Sequence, residues 1–197
     1  MANDTYSCFA ELKKHEEQNK DYKISISNVG SRITIIAPHG GRIEPGTSDI
    51  AKKIATESFN YYCFEGIKEE NNECLHITSH NFDEPMAVKI ISRAPKVVAI
   101  HAWTGNEKFV FLGGLDKVLK EIIANELESR GIIVSKKHGR FKGLNPGNIC
   151  NRGATKKGVQ LEITRGLRDN LTKRQLISEA VRAALIKTQP GQAGIDD

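Results

Sequence analysis

Three residues could together hold a divalent metal: His39, Glu44 and His101. The run Pro38-His39-Gly40-Gly41-Arg42-Ile43-Glu44-Pro45-Gly46 follows directly on an apolar stretch containing Ile33, Ile35, Ile36 and Ala37. His39 therefore stands at the carboxyl end of a strand, where open α/β sheets place their sites. Two glycines let the backbone turn tightly enough to bring Glu44 back beside it. His101 ends a second apolar run, residues 97–100, and can supply a third ligand from a neighbouring strand. Two imidazoles, one carboxylate and an open water position form a recurrent ligand set of catalytic zinc. Such an ion lowers the pKa of its water toward neutrality and polarises a carbonyl. Either histidine alone would read as a hydrogen-bonded residue at a strand end; the pair with a glutamate nearby points to a metal.

Glu162 lies inside the apolar segment Val159-Gln160-Leu161-Glu162-Ile163, where an ionised carboxylate is costly unless it meets a metal-bound water or a cation. That placement suits a general base that takes a proton from water and delivers it to a leaving amine; pairing with an arginine or facing solvent is the plainer alternative. Asn151-Arg152 precedes it closely, and a guanidinium can clamp a carboxylate with two parallel hydrogen bonds. His76 and His80 have a spacing that would matter on a helix. Residues 74–78 read as a strand, however, and residues four apart there are about 13 Å apart, too far to share a metal. His76 is placed at the cleft and His80 on the surface, while His15 and His138 sit in charged segments and need no function. Cys8, Cys63, Cys74 and Cys150 show no C-x-x-C spacing and are expected as free thiols without a zinc knuckle.

These groups must be positioned by alternating elements. Helices are expected over residues 6–19, from Thr47 or Ser48 as cap to 58, over 83–92, 115–129 and 172–186; strands over 23–28, 33–37, 61–64, 74–78, 97–100, 109–112, 132–135 and 159–163. Strands alternating with helices predict one α/β domain with a mixed, largely parallel sheet flanked by helices. The expected organisation is an N-terminal helical extension over 1–20, a catalytic domain over 21–187 and a frayed tail over 188–197. No stretch has the roughly 20 apolar residues of a membrane span, and no export signal opens the chain, so a cytoplasmic protein is expected as synthesised.

The formal net charge is +5. From Arg130 to Arg174 there are twelve Lys/Arg against Glu162 and Asp169 alone, a basic third whose field favours a polyanion, either nucleic acid or an anionic polymer such as polyglutamate, if it faces a groove. No aromatic-rich stacking strand or recognisable nucleic-acid motif lies in that region, which argues against a nucleic-acid-binding accessory.

The segments Ala37-Pro38-His39-Gly40-Gly41-Arg42-Ile43-Glu44-Pro45-Gly46-Thr47, Leu75-His76-Ile77-Thr78-Ser79 with Phe82-Asp83-Glu84-Pro85, Ala99-Ile100-His101, Leu112-Gly113-Gly114-Leu115, Asn148-Ile149-Cys150-Asn151-Arg152 and Gly158-Val159-Gln160-Leu161-Glu162-Ile163 together resemble the poly-γ-glutamate hydrolase family of bacilli and their phages. The resemblance spans about residues 30–168 and implies a fold similar to the zinc carboxypeptidases. It implies that His39, Glu44 and His101 hold Zn²⁺, that Glu162 is the catalytic base, and that Arg152 with Asn151 contacts a substrate carboxylate. Poly-γ-glutamate is the implied substrate, with His76, Arg42 and Arg165 as further contacts, and a monomer is expected. Carboxypeptidases usually space the first two ligands as His-x-x-Glu; four residues separate His39 from Glu44 here, a longer gap that the poly-γ-glutamate family shares. A carboxypeptidase or amidase acting on another peptide or on cell wall is the rival within the same chemistry.

Overall fold

Runs of β-branched and aromatic residues separated by capped helices dictate most of the order seen in the computed structural model, which describes residues 4–135 and 142–189. In chain order the elements are α1 (Phe9–His15), β1 (Tyr22–Ser27), β2 (Ile33–Gly41), α2 (Thr47–Ala55), β3 (Asn60–Gly66), α3 (Pro85–Ser92), β4 (Lys96–Trp103), β5 (Phe109–Gly113), α4 (Lys117–Glu128), β6 (Ile133–Ser135), β7 (Val159–Thr164), α5 (Arg165–Arg168) and α6 (Leu171–Lys187). Short 3₁₀ turns occupy Asn72–Leu75 and Ile149–Arg152. His138 and the expected tail from residue 190 onward fall outside the described residues.

The strands form one sheet in the order β1-β3-β2-β4-β7-β5-β6. The pairs β3–β2, β2–β4, β4–β7 and β5–β6 are parallel, and β1–β3 and β5–β7 antiparallel, so the mixed, largely parallel α/β sheet is as expected. From β2 the chain passes to β3 on one side, whereas from β4 it passes toward β5 on the other. The carboxyl ends of β2 and β4 thus flank a switch point, where such sheets open a crevice.

Side-chain alternation assigns the two faces. Ile33, Ile35 and Ala37 of β2, Val98 and Ile100 of β4, and Val159, Leu161 and Ile163 of β7 pack with α2, α4 and α6 through Ile50, Ile54, Leu119, Ile123, Val181 and Leu185. Ile36, Val97 and Ala99 point to the opposite layer, which contains Phe9 and Leu12 of α1, Ile90 and Ile91 of α3, and Leu75, Ile77, Phe82 and Ile149. The N-terminal helix thus contributes to the core, and Asp83 accepts a hydrogen bond from its first amide, Phe9 N, at 2.7 Å.

Two local expectations need correction. Residues 74–78 are no strand. Leu75 and Ile77 alternate as strand residues would, but both are anchored in the second layer, and Asn71 at φ 57 turns the chain into the 3₁₀ turn. Neither Thr47 nor Ser48 caps α2; its N-cap is Gly46, at φ 93. The two hydroxyls close the preceding loop instead, Thr47 Oγ1 donating to the Glu44 carbonyl at 2.8 Å and Ser48 Oγ accepting from Gly41 N at 3.1 Å.

The register of β2 against β3 shifts between Ala37 and Gly40. Pro38 has no N–H to donate, and within sheets proline is confined to edges, strand starts or bulges. The bulge inserts one residue, and one residue of slip exchanges the faces. Gly41 then adopts φ 63, and a Cβ built there would stand 2.4 Å from the Gly66 carbonyl oxygen. Gly41→Ala is expected to destabilise the protein by at least about 2 kcal/mol, since it combines a left-handed backbone with an overlap against main chain. Unchanged urea denaturation would show that this turn is not required.

Candidate functional site

His39 and His101 converge because the bulge turns His39 to the face that His101 already shares with Ala99 and Val97. β2 and β4 pair only as far as Ile36 and Ala99, and beyond that point the strands part. Their rings are 5.1 Å apart, centroid to centroid. His101 pairs in register with Glu162 of β7, so Glu162 projects from the same face one strand away.

Glu44 reaches into the gap from the loop after β2. Its Oε1 faces His39 Nδ1 at 3.4 Å, its Oε2 faces His101 Nδ1 at 3.8 Å, and Oε2 also accepts a hydrogen bond from Ala102 N at 2.9 Å. His39 Nε2–H donates to the Ile77 carbonyl at 2.8 Å, so in the neutral ring Nδ1 carries the lone pair, and it faces Glu44. That nitrogen is buried and has no hydrogen-bond partner among the described residues. One ligand atom each from His39, Glu44 and His101 lies within 4.8 Å of the others. Bonds of about 2.0–2.2 Å to a tetrahedral ion place its ligands roughly 3.3–3.6 Å apart. An orphaned imidazole nitrogen, an ionised carboxylate and a second imidazole at this spacing fit zinc.

Electrostatics separates the two histidines. Burial disfavours charge on both, but the Glu44 carboxylate beside His39 outweighs it and raises the pKa of that ring. His101 is pushed down to about 3 by burial, with the other two histidines adding to the effect, so it stays neutral and competent as a ligand. For Glu44 burial works upward, yet His39 and His101 hold its carboxyl below the ordinary range.

Glu162 is 6% exposed. Its Oε1 accepts from Gln160 Nε2 at 3.0 Å, and Gln160 Oε1 accepts in turn from Asn148 Nδ2 at 2.9 Å. Burial, and then the nearby Glu44, push its pKa well above the usual carboxylate range, while Arg168 acts in the opposite direction.

The ring of His76 stands 4.0 Å from that of His39. Its Nδ1 pairs with Asp4 at 2.8 Å, and Asp4 also accepts from Thr78 N at 2.6 Å. Arg152 Nη2 donates to the Phe82 carbonyl, and the Phe82 ring meets His39 edge-on at 6.2 Å; Arg152 Nε is buried without a partner. Asn151 is committed elsewhere. Its Oδ1 accepts from Leu115 N and Gly158 N, and its Nδ2 donates to Gly143 O and Asn145 O, which fills the capacity of a side-chain amide. Arg42 donates to the Lys68 and Glu69 carbonyls and Arg165 pairs with Asp169 at 3.2 Å; both are exposed or nearly so, and neither hydrogen-bonds a residue of the cluster.

Sequence reasoning passed over Asp4, Ser79, whose Oγ is 3.4 Å from His101 Nε2, and Arg168. Arg168 is 5% exposed yet reads in the sequence as one more member of a basic run. The one local signal is Leu167, the sole apolar side chain of this short turn, which is buried and draws the segment toward the core.

A family model described as poly-gamma-glutamate hydrolase matches residues 6–188. YmaC of Bacillus subtilis (strain 168) is 44% identical over 170 residues, covering 84% of this chain and 71% of that protein. The structure of a bacteriophage poly-gamma-glutamate hydrolase superposes with a TM-score of 0.89 at 31% identity, over 94% of this chain and 98% of the other. A zinc-free apo structure of YNDL gives 0.88 at 29% identity, over 95% and 100%. Among the described residues no helix is long and apolar enough to cross a membrane.

An unfolded histidine takes up its proton near pH 6.5, whereas His101 does so near 3. Between these values the unfolded chain binds the extra proton, so His101 makes the metal-free protein less stable as pH falls. His101→Gln is expected to flatten the loss of stability between about pH 6.5 and 5 in urea titrations of metal-free protein; an unchanged slope would place the ring in contact with water.

Proposed function

The chain belongs to the poly-gamma-glutamate hydrolase family and is a hydrolase; from that premise we propose that it cleaves γ-glutamyl amide bonds of poly-γ-glutamate with zinc held by His39, Glu44 and His101. The observation that carries this reading is the buried, unpartnered Nδ1 of His39 facing the Glu44 carboxylate, with His101 completing a set of ligand spacing. Zinc held there would supply Lewis acidity, polarising the amide carbonyl and making water nucleophilic near neutral pH.

The protein's own groups divide the remaining work. Glu162 is the general base and acid, taking a proton from the attacking water and passing it to the departing nitrogen. A carboxyl raised by burial and by Glu44 suits it to hold a proton between those two events. Gln160 fixes one carboxylate oxygen of Glu162 and leaves the other for that exchange. Ile77 fixes the His39 tautomer, an orienting contact of the kind that raises ligand basicity.

Arg152 binds a substrate α-carboxylate, since only part of its guanidinium is spent on Phe82. Asn151 supports this by holding the loop that carries Arg152. His76, oriented by Asp4, lines the same cleft. Arg42 and Arg165 follow the carboxyl ends of β2 and β7, on the rim where the cluster opens, and serve as outer contacts for carboxylates further along a polymer.

Chelation is expected to stop shortening of poly-γ-glutamate, read by size-exclusion chromatography, and added zinc to restore it. Glu162→Gln should keep one zinc per chain while turnover falls by at least about 10²-fold. Retained turnover in that variant would remove Glu162 from the mechanism, and activity indifferent to chelation would remove the metal.

A further inference from the structure

Arg168 is almost fully buried, yet no carboxylate stands within ion-pair distance of it among the described residues; its guanidinium is spent on three backbone carbonyls. Nε donates to Ile163 O at 2.9 Å, Nη1 to Pro45 O, and Nη2 to Trp103 O at 3.3 Å. Each acceptor is next to, or two residues beyond, a member of the site: Pro45 follows Glu44, Ile163 follows Glu162, and Trp103 lies two past His101. One rigid fork therefore ties the loop after β2 to the ends of β4 and β7, which stay paired with each other as far as Trp103 and Thr164. The outermost of these segments, at Pro45 and Ile163, are more than 100 residues apart in the chain, and β2 and β4 no longer pair with each other at this level.

Resting on the reading above of a zinc site at His39, Glu44 and His101, we propose that Arg168 is the positioning residue of that site, fixing the loop of Glu44 and the ends of β4 and β7 in the spacing the ion requires. Its planar guanidinium suits this task in a way an ammonium does not, because three donors leave it in fixed directions toward three acceptors. Its charge also lies close enough to act on both Glu44 and Glu162, without forming an ion pair with either. The short helix α5 brings Arg168 back beneath β7, and Arg174 Nε in turn donates to the Arg168 carbonyl.

The test compares wild type, Arg168→Lys and Arg168→Met for zinc affinity by competition with a chromogenic chelator, for thermal stability without metal, and for kcat and KM on poly-γ-glutamate. Loss of an orienting contact behind metal ligands typically costs 10–100-fold in affinity or activity. Both folded variants are therefore expected to bind zinc about 10–100-fold more weakly, with Lys falling short of rescue although it keeps the charge, and kcat is expected to fall more than KM changes. Variants that bind zinc and turn over within about threefold of wild type overturn the assignment. So does failure of both to fold even in excess zinc, which would make Arg168 a residue of the fold alone. A wild-type chain that binds no zinc refutes the metal reading itself, a result distinct from tight binding by all three proteins.

Discussion

The site depends on one missing hydrogen-bond donor. β2 runs through the middle of the sheet with neighbours on both sides, and Pro38 cannot supply the amide that position asks for. The strand answers by bulging between Ala37 and Gly40. Without the extra residue, His39 would continue the alternation of Ile33, Ile35 and Ala37 and point its imidazole into the apolar layer against α2 and α6, where a polar ring would have no partner. With it, His39 lies on the face of His101 and Glu162. The tight passage after the bulge then selects glycine: a Cβ on Gly40 would lie 2.0 Å from Ser48 Oγ and 3.0 Å from the Phe64 carbonyl oxygen. The hydroxyls of Thr47 and Ser48, lost to α2 as caps, reappear as the ties that hold the loop carrying Glu44.

Glu44 organises the charges as the bulge organises the geometry. It stabilises a proton on His39, stands opposite a neutral His101, and raises Glu162 by repulsion. These effects conflict in the absence of a cation: two carboxylates and a buried imidazole nitrogen converge with one guanidinium, Arg168, to offset them. In the proposed reading a divalent ion held by His39, Glu44 and His101 would relieve this conflict, so the contacts that make the metal-free cluster costly would give the ion its affinity.

How much of this could be read in advance followed the range of the interactions involved. The strand ends carrying His39 and His101 were legible because each follows a run of apolar β-formers, and the return of Glu44 because glycines between it and His39 permit a turn. The bulge itself was marked by Pro38 within an apolar strand, although its effect on which way His39 faces requires the sheet. Residues 74–78 misled because Leu75 and Ile77 reproduce a strand's period while serving as two anchors of an irregular segment. The partnership of Asp4 with His76 spans 72 residues, and no local pattern encodes it. The arginines show the same limit: Arg165 and Arg168 are three residues apart in one basic run, and the short helix exposes the first and buries the second.

Burial of the site also bears on the proposed substrate. A chain of glutamates approaching Glu44 and Glu162 meets like charges in a region poor in water, where repulsion is weakly screened. Arg152 and Arg168 offset this in part, but Arg168 is enclosed and spent on carbonyls, so it contributes field and no direct contact. A zinc ion would reverse the sign of the local charge as well as supply the chemistry, and in the proposed reading the metal therefore governs where along the polymer binding is productive. The basic rim can hold carboxylates on either side, but the amide between them reaches Glu162 only where the cluster has gained positive charge. In that reading, specificity for an anionic polymer would arise from exposed arginines that attract it and a buried acidic cluster that admits it once filled.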